Sequence, residues 1–258
     1  MYRGRAPPDA AGCARVRLAR FAPAAGLTLL SLVLCALFVR LGFWQWHRWV
    51  LSDAAWTRFA RGADATQPLG VRALEDVTLY QRVSVTGRLD GQHQFLLDNR
   101  SYQGRPGYEV LTPLTLPAGA VLLIDRGWVP FSGARARLPD VKLTDETSVT
   151  LSGRVADLPS AGLASGRAAP KPADPWPKVT SFPRAEELAG ALGVRLGARI
   201  LLLDPSAPHG YLRDWQPPGM APLRHLSYAI QWWCLAALIV IVWGVLAVRR
   251  ARAAQGPP

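Results

Sequence analysis

Two apolar runs decide the architecture of this chain: FAPAAGLTLLSLVLCALFV at residues 21–39 and LSYAIQWWCLAALIVIVWGVLAV at residues 226–248. The only ionisable side chains within them are Cys35, Tyr228 and Cys234. As helices with a rise of 1.5 Å per residue, the runs would be about 28 and 34 Å long, which matches a hydrocarbon core of about 30 Å. We therefore expect one transmembrane helix near each end of the chain.

The positive charge of the chain is concentrated outside these runs. The formal net charge is +12, and the two ends carry eight arginines and one aspartate, which is seven of the twelve excess charges. Lys and Arg beside transmembrane helices favour the cytoplasmic side, so we expect both termini in the cytoplasm and the central region on the outer side. There is no basic, aromatic platform of the kind that binds nucleic acid, so we do not expect nucleic-acid binding.

The first run is expected to be a retained anchor rather than a cleaved signal peptide. It is long for a signal peptide, and no A-x-A-like cleavage site follows it. The aromatic segment LGFWQWHRW at residues 41–49 is typical of a membrane interface instead. The short Arg-rich start, which includes Asp9, leaves little room for a cleaved transit peptide. A bacterial inner membrane is therefore favoured over the mitochondrial inner membrane, with the protein as a multi-pass component in contact with lipid.

The expected fold is a membrane protein in which two transmembrane helices flank an extracytoplasmic α+β domain of mostly antiparallel strands. The expected segments are a basic cytoplasmic tail (1–20), a transmembrane helix (21–41), an extracytoplasmic β-rich domain (42–224) with a flexible loop (158–177), a second transmembrane helix (225–248) and a cytoplasmic tail (249–258). The first helix should continue past the membrane and end at Gly62, because no proline interrupts residues 27–67.

Alternating apolar residues and turn signals predict the elements of the central domain. One short helix is expected at residues 183–192, between a proline and Gly193. A loop at residues 99–107, which carries Gly104, Pro106 and Gly107, should join two strands of a hairpin. The predicted strands are 80–87, 94–98, 108–114, 120–125, 148–155 and 199–204.

The sequence contains no recognisable catalytic constellation. A G-x-S-x-G elbow, an H-E-x-x-H metal motif and a Gly-rich phosphate loop are all missing, so we do not expect an enzyme. The three cysteines, Cys13, Cys35 and Cys234, lie in the tail and in the apolar runs. The central domain therefore has no disulfide, no C-x-x-C-H haem motif and no thiolate chemistry.

His225 opens the second apolar run and is the residue most suited to hold a ligand. At helical spacing it shares a face with Tyr228, Ala229 and Trp232. An imidazole at the membrane edge can ligate haem iron, aromatic side chains can pack on the macrocycle, and Arg224 could approach a propionate. The alternative is an interfacial histidine that needs no ligand.

His47 is expected at a similar depth on the first helix. It could pair with the histidine of the second helix as a two-imidazole ligand set. Alternatively, it faces lipid headgroups and has no ligand role.

The segment DRGWVP at residues 125–130 ends a predicted strand. Gly127 permits a tight turn or a bulge, and Pro130 stops strand pairing. Trp128 could fill the core or touch lipid. Because exposed Arg and Trp are common interface anchors, Arg126 and Trp128 could instead dock a partner.

Four motifs in order make the chain resemble the Surfeit locus protein 1 family of cytochrome c oxidase assembly factors. The motifs are LGFWQ at 41–45 followed by Arg48, GY at 107–108 followed by TPL at 112–114, DRGWVP at 125–130, and H-x-x-Y-A-x-Q-W at 225–232. Trp44, Gln45 and Arg48 thus join the residues expected to pack the domain or bind a partner. Trp46 and His47 depart from the more basic family pattern, which leaves a ligand role for His47 without family support.

The resemblance implies a non-enzymatic role in the assembly of haem-copper cytochrome c oxidase. It implies help with haem a insertion into the catalytic subunit or with stabilisation of that subunit, and a transient haem a contact at His225. The implied partners are the oxidase catalytic subunit and the haem a synthase. The alternative is a purely structural membrane scaffold for oxidase subunits that never binds haem.

Overall fold

A computed structural model describes residues 25–62, 65–143, 148–160 and 166–253. The chain divides into two compact units. The described residues up to Ala55, together with those from Pro218, form a helical unit, and Trp56–Pro217 form a β-rich unit.

Three α-helices and eight strands make up the described chain, and a 3₁₀ turn covers Leu74–Asp76. In chain order they are α1 (Ala25–Arg61), β1 (Gln67–Pro68), β2 (Arg82–Leu89), β3 (Phe95–Tyr102), β4 (Arg105–Thr115), β5 (Val121–Pro130), β6 (Ser148–Asp157), β7 (Lys178–Thr180), α2 (Ala185–Leu192), β8 (Arg199–Leu203) and α3 (Pro222–Ala253).

Helix α1 contains the first apolar run from Ala25 onward and α3 contains the second run, and both helices are long and apolar enough to cross a membrane. Only 6% and 11% of the residues in their most apolar windows are fully buried, so most of the apolar surface of both helices is uncovered or half-covered. Helix α1 ends where the Gly62 amide donates to the Arg58 carbonyl, which confirms the predicted end. Residues 21–24 of the first predicted span lie outside the described residues.

The two long helices pack antiparallel in the helical unit. Residues later in α1 contact residues earlier in the C-terminal segment. The pairs are Thr28 with Trp243, Phe38 with Trp232, Gln45 with His225, and Ser52 with Met220, which lies just before α3. Gly42 of α1 and Ala229, Ala236 and Ala247 of α3 are buried. Small residues at buried positions let two helix backbones approach closely, which is the usual way that membrane helices associate.

The β-rich unit is built on a closed ring of five strands. The pairing order is β2-β6-β8-β5-β4, and β4 pairs again with β2 through Arg88–Thr115 and Leu89–Leu114. Only β5 and β8 are parallel within the ring. Counted along the chain, the first to fifth ring strands are β2, β4, β5, β6 and β8, and they pair in the order 1-2-3-5-4-1. This is the Greek-key order of an OB-type barrel. Strand β1 adds to β2, and β3 and then β7 extend the sheet beyond β4.

Apolar side chains from all five ring strands fill the barrel. This cluster includes Val83, Val85, Leu114, Ile124, Leu151, Val155, Leu201 and Leu203, all nearly inaccessible to solvent. A second cluster lies under α2, where Leu188 packs with Phe95, Leu97, Leu111, Leu123 and Ile200. The central β-rich domain expected from the sequence is thus present, and it has a hydrophobic core on each side of the β4–β5 hairpin.

The predicted loop at residues 99–107 is wrong. Strand β3 runs to Tyr102, β4 starts at Arg105, and only Gln103 and Gly104 form the turn. Both turn residues have positive φ, 49° and 76°, which is the conformation that two-residue hairpins require. Asn99, with φ of 61°, marks a register shift between Leu97 and Arg100, so a bulge and a tight turn take the place of the predicted loop.

Helix α2 confirms the predicted short helix. Its first turn is capped because the Glu187 carboxylate accepts a hydrogen bond from the Arg184 amide at 3.0 Å, and Gly193 ends it with φ of 69°. In the predicted flexible loop at 158–177, residues 158–160 and 166–177 show no helix or strand beyond one bridge at Ala168. Residues 161–165 lie outside the described residues.

Candidate functional site

His225 lies in the first turn of α3 and is hydrogen-bonded to α1. Its Nδ1 atom is 2.9 Å from Oε1 of Gln45, and both side chains are half-buried. An amide oxygen accepts hydrogen bonds, so this contact fits a ring that carries its proton on Nδ1, and such a ring would keep the lone pair on Nε2. Among the described residues, none is hydrogen-bonded to Nε2. The imidazole therefore presents a nitrogen that is able to ligate a metal.

Close helix packing brings the two side chains together. Gly42, one turn before Gln45, lies against the indole of Trp233, and a Cβ at residue 42 would overlap that ring. Ala229, one turn after His225, is fully buried. A larger residue at either position would push the helices apart and lengthen the hydrogen bond between Gln45 and His225.

One side of the helix pair is occupied by aromatic rings. The ring centroids of Trp46 and Trp233 are 6.0 Å apart, and those of Phe43 and Trp233 are 5.6 Å apart. Trp49 extends the cluster through Trp46, at 4.6 Å. We call these four residues the tryptophan flank.

The motif residues Trp44 and Arg48 lie on the opposite side of α1 from this flank. Successive residues of an α-helix are rotated by about 100°. Relative to Gln45, which faces α3, Trp46 is therefore turned to one side, and Trp44 and Arg48 are turned to the other. Trp44 is 54% exposed, and Arg48 is also exposed.

The same rotation applies to α3. Relative to His225, which faces α1, Trp233 is turned to one side, and Arg224 and Tyr228 are turned to the other. Because Trp233 and Trp46 are in contact, Arg224 and Tyr228 share the side of the pair that carries the Trp44 and Arg48 positions. Tyr228 is 43% exposed, and Arg224 is exposed.

The helix pair thus has a second side, which combines two arginines with two aromatic rings beside His225. We call it the open flank, formed by Trp44, Arg48, Arg224 and Tyr228. Among the described residues, no hydrogen bond or ion pair holds the side chains of Arg48 and Arg224. This flank offers planar apolar surface and positive charge next to the imidazole of His225.

Two other residues singled out in the sequence lie apart from this arrangement. Trp232 is half-buried and packs on Phe38, with ring centroids 5.4 Å apart, so it belongs to the contact between the helices. His47 is exposed and lies two residues beyond Gln45, which turns it away from α3. The helix pair therefore brings Gln45, rather than His47, to His225.

In the β-rich unit, the DRGWVP segment is a bulge inside β5 rather than the predicted strand end. Between Glu109–Trp128 and Leu111–Asp125, β5 advances by three residues while β4 advances by two. Gly127 has φ of 109° and its Cα faces the Leu212 carbonyl, where a Cβ would come within 2.6 Å. The predicted bulge at Gly127 is confirmed, and pairing continues to Pro130.

Arg126 is 3% exposed and serves as the centre of a buried hydrogen-bond network. Its Nε donates to the His209 carbonyl at 2.6 Å, and one terminal nitrogen donates to Gln94 Oε1 at 2.8 Å. Thr112 donates to the same Gln94 oxygen at 2.8 Å. The guanidinium also lies 4.8 Å from the ring centroid of Tyr211. Burial lowers the pKa of this arginine, but its partners accommodate the charge.

Trp128 is 6% exposed and is also part of the fold. Its backbone pairs with Leu212, and its indole lies against Gly107 and Tyr102. The sequence left two roles open for Arg126 and Trp128, domain packing and partner docking. Their burial supports domain packing.

Next to this network, the carboxyl groups of Asp125 and Glu109 are largely shielded from solvent. Asp125 is 1% exposed and accepts a hydrogen bond from the Gly127 amide at 3.0 Å. Burial raises the pKa of Asp125 well above its ordinary value, and the charge of Glu109 adds to the rise. Burial also raises the pKa of Glu109, against the effect of Arg100, whose guanidinium is 2.8 Å from the Glu109 carboxylate.

Sequence reasoning missed Gln94 as the partner of Arg126 and Gln45 as the partner of His225. A buried glutamine leaves no pattern of its own, and the contacts span 32 and 180 residues of chain. Gln45 lies within the LGFWQ motif, which was the one available signal, whereas Gln94 lies in none of the four motifs. Among the described residues, no group of three or more His, Cys, Asp and Glu side chains could hold a metal ion.

Comparison with known proteins gives a consistent result. The SURF1 family model matches residues 32–237, which include all four motifs. Uncharacterized SURF1-like proteins of Mycobacterium bovis and Mycobacterium tuberculosis are 31% identical over 186 residues, 69% of this chain and 66% of theirs. A SURF1-like protein of Rickettsia bellii is 25% identical over 225 residues, 84% of this chain and 89% of its own.

The match to the mycobacterial relatives thus spans 66% of their length. The family match covers most of the present chain, including α1 from Leu32 to its end and the first half of α3. The chain therefore belongs to the SURF1 family, which is linked to cytochrome oxidase assembly.

Proposed function

We propose that this chain is a membrane-embedded assembly factor for haem-copper cytochrome c oxidase, and that its open flank holds haem a transiently beside His225. The observation that supports the proposal is the hydrogen bond between His225 Nδ1 and Gln45, because a ring that donates from Nδ1 would offer Nε2 as a ligand atom. The role is non-enzymatic. Haem a is cargo for the oxidase catalytic subunit, and the haem a synthase that makes it is the natural second partner.

The residues of the open flank fit the chemistry of haem a. Imidazole nitrogen is a common axial ligand of haem iron. Trp44 and Tyr228 offer aromatic surface to a flat macrocycle, and Arg48 and Arg224 offer positive charge to its two propionates. A single imidazole with exposed surroundings also suits cargo that must leave again, since fewer contacts mean faster dissociation.

The distribution of charge supports an orientation for the proposed function. Arginines follow the apolar part of α3 at Arg249, Arg250 and Arg252, and His225 lies at its other end. With the positively charged end in the cytoplasm, His225 lies at the outer edge of the membrane. We place the protein in a bacterial inner membrane, with the β-rich unit outside and both termini inside.

The rival function is a scaffold that stabilises an oxidase subunit by protein contacts and never binds haem. One observation favours it: His225 already has a hydrogen-bond partner on the other helix. A hydrogen bond between membrane helices contributes about 0.6 kcal/mol on average, so His225 could serve only to hold α1 and α3 together.

A visible absorption spectrum of the detergent-purified protein, co-expressed with haem a synthesis, tests the proposal. We expect a haem a signal in the wild type that is lost in His225→Ala. His47→Ala is the matched control, because it removes an exposed imidazole from the other helix and should keep the signal.

Two results would contradict the haem proposal. Equal haem a signals in the wild type and in His225→Ala would remove His225 from the site. No signal in any of the three proteins, with oxidase-subunit binding retained, would select the scaffold function instead.

A further inference from the structure

Gln45 is the one side chain on α1 that is hydrogen-bonded to the imidazole of His225. The distance of 2.9 Å between Oε1 and Nδ1 is that of an ordinary hydrogen bond, and both side chains are half-buried. Within the helical unit this contact lies between two others that fix the helix register, Phe38 with Trp232 and Ser52 with Met220. The carboxamide therefore meets His225 in a defined place.

A neutral histidine carries one ring proton, and the ring nitrogen without it keeps a lone pair. The partner of one nitrogen decides which tautomer forms, because an acceptor at Nδ1 requires the proton there. Metal-ligating histidines in proteins almost always donate their other N–H to such an acceptor, which also fixes the orientation of the ring. Gln45 Oε1 is an acceptor of this kind.

We propose that Gln45 is a positioning residue that holds His225 in the Nδ1–H tautomer and so keeps Nε2 as the ligand atom. That Nε2 binds haem iron rests on the proposed function, whereas the tautomer of His225 does not depend on it. Without an acceptor at residue 45, the proton can move to Nε2 and occupy the atom that would bind iron. Nothing else among the described residues accepts a hydrogen bond from this ring.

The tautomer is measured directly by nitrogen NMR on the full chain in detergent, with ¹⁵N-histidine labelling, at alkaline pH and without haem. The signals of His225 are assigned by their loss in His225→Ala. In the wild type we expect a protonated Nδ1 and an unprotonated Nε2. Gln45→Leu removes the acceptor and should shift the population toward Nε2–H. Gln45→Glu keeps an acceptor at the same reach and should preserve the wild-type pattern.

Gln231→Leu is the matched control, because Gln231 is an exposed glutamine on α3 whose side chain makes no hydrogen bond with any described residue. It should leave the His225 signals unchanged. A wild-type His225 protonated at Nε2 would overturn the proposal. So would a Gln45→Leu protein with the wild-type pattern.

Titration of the wild type, Gln45→Leu, Gln45→Glu and Gln231→Leu with ferric haem b separates this proposal from the haem function. Loss of the second partner of a metal-ligating histidine typically weakens metal binding about 10- to 100-fold. We expect that loss for Gln45→Leu, with recovery in Gln45→Glu. Equal affinity in the wild type and Gln45→Leu would overturn the positioning role and leave haem binding in place. No binding by the wild type would contradict the haem function, and the NMR result would still decide the role of Gln45.

Discussion

Replacing Arg126 with methionine should strongly destabilise the β-rich unit. Methionine refills the apolar part of the buried space but donates no hydrogen bond. The change therefore leaves the His209 carbonyl without the Nε donor at 2.6 Å and removes the guanidinium donor from Gln94 Oε1 at 2.8 Å. Gln94 is buried, so its Oε1 keeps only the Thr112 donor and gains no water in place of the lost one.

The two short hydrogen bonds set the size of the effect. Hydrogen bonds to a charged group contribute about 1.5 to 3 kcal/mol each, so their loss should lower the free energy of unfolding by about 3 to 6 kcal/mol. For a unit of this size, 1 kcal/mol corresponds to about 2 to 4 °C in Tm. The expected fall in Tm is therefore at least about 6 °C.

Thermal unfolding of the detergent-purified protein, followed by near-ultraviolet circular dichroism, measures this fall. The matched control is Arg88→Met, because Arg88 is an exposed arginine of β2 in the same sheet. Exposed substitutions of this kind usually change stability by less than about 0.5 kcal/mol. If Arg126→Met unfolds within about 2 °C of the control, the buried network does not stabilise the domain and the reasoning is wrong.

Three further substitutions test other contacts. Gly127→Ala puts a Cβ against the Leu212 carbonyl at positive φ, and we expect a loss of about 1 to 3 kcal/mol in urea unfolding. Asp125→Asn should raise Tm at pH 7, because the unfolded carboxyl ionises more readily than the buried one. This gain should grow as pH rises from about 4 toward the raised pKa and should vanish below pH 4. Gly42→Ala should lower the thermal stability of the helical unit, since the new methyl group overlaps Trp233.

Each of these substitutions has its own control. Gly119→Ala has a similar positive φ of 84° but open space around it, so it should cost less than the change at the bulge. Gly244→Ala, also in open space, should not destabilise the helical unit. For the aspartate, a Tm difference that is the same at pH 3.5 and pH 7 would show that its titration does not affect stability.

The helices and most strands could be predicted because their patterns are local. Hydropathy alone located the apolar parts of α1 and α3, alternation located β2 and β6, and turn signals located the hairpin of β3 and β4. Closure of the barrel could not be predicted, because it depends on two residue pairs between β2 and β4. Two residue pairs are too few to leave a periodic pattern in the sequence of either strand.

The wrong loop at residues 99–107 has a related cause. Gly104 and Pro106 are strong turn signals, but a sequence cannot say whether one turn or a whole loop surrounds them. The backbone at Gln103 and Gly104 makes the turn, and Pro106 pairs with Ser101 within the hairpin. In the site, His225 was found from its place at the end of an apolar run. Its partner on the other helix was not found, because only the helix register brings the two together.

The motif residues of the two units differ in burial, and this difference separates a role in folding from a role in function. Arg126 and Trp128 are buried, and their polar atoms are hydrogen-bonded within the β-rich unit, so folding alone accounts for them. Trp44, Arg48 and Tyr228 are exposed on one side of a helix pair that other contacts already hold together, so folding does not require them. Substitutions in the first group should therefore lower the amount of protein in the membrane. Substitutions in the second should leave the amount unchanged and lower oxidase assembly, and immunoblots beside oxidase haem spectra of the same membranes distinguish the two.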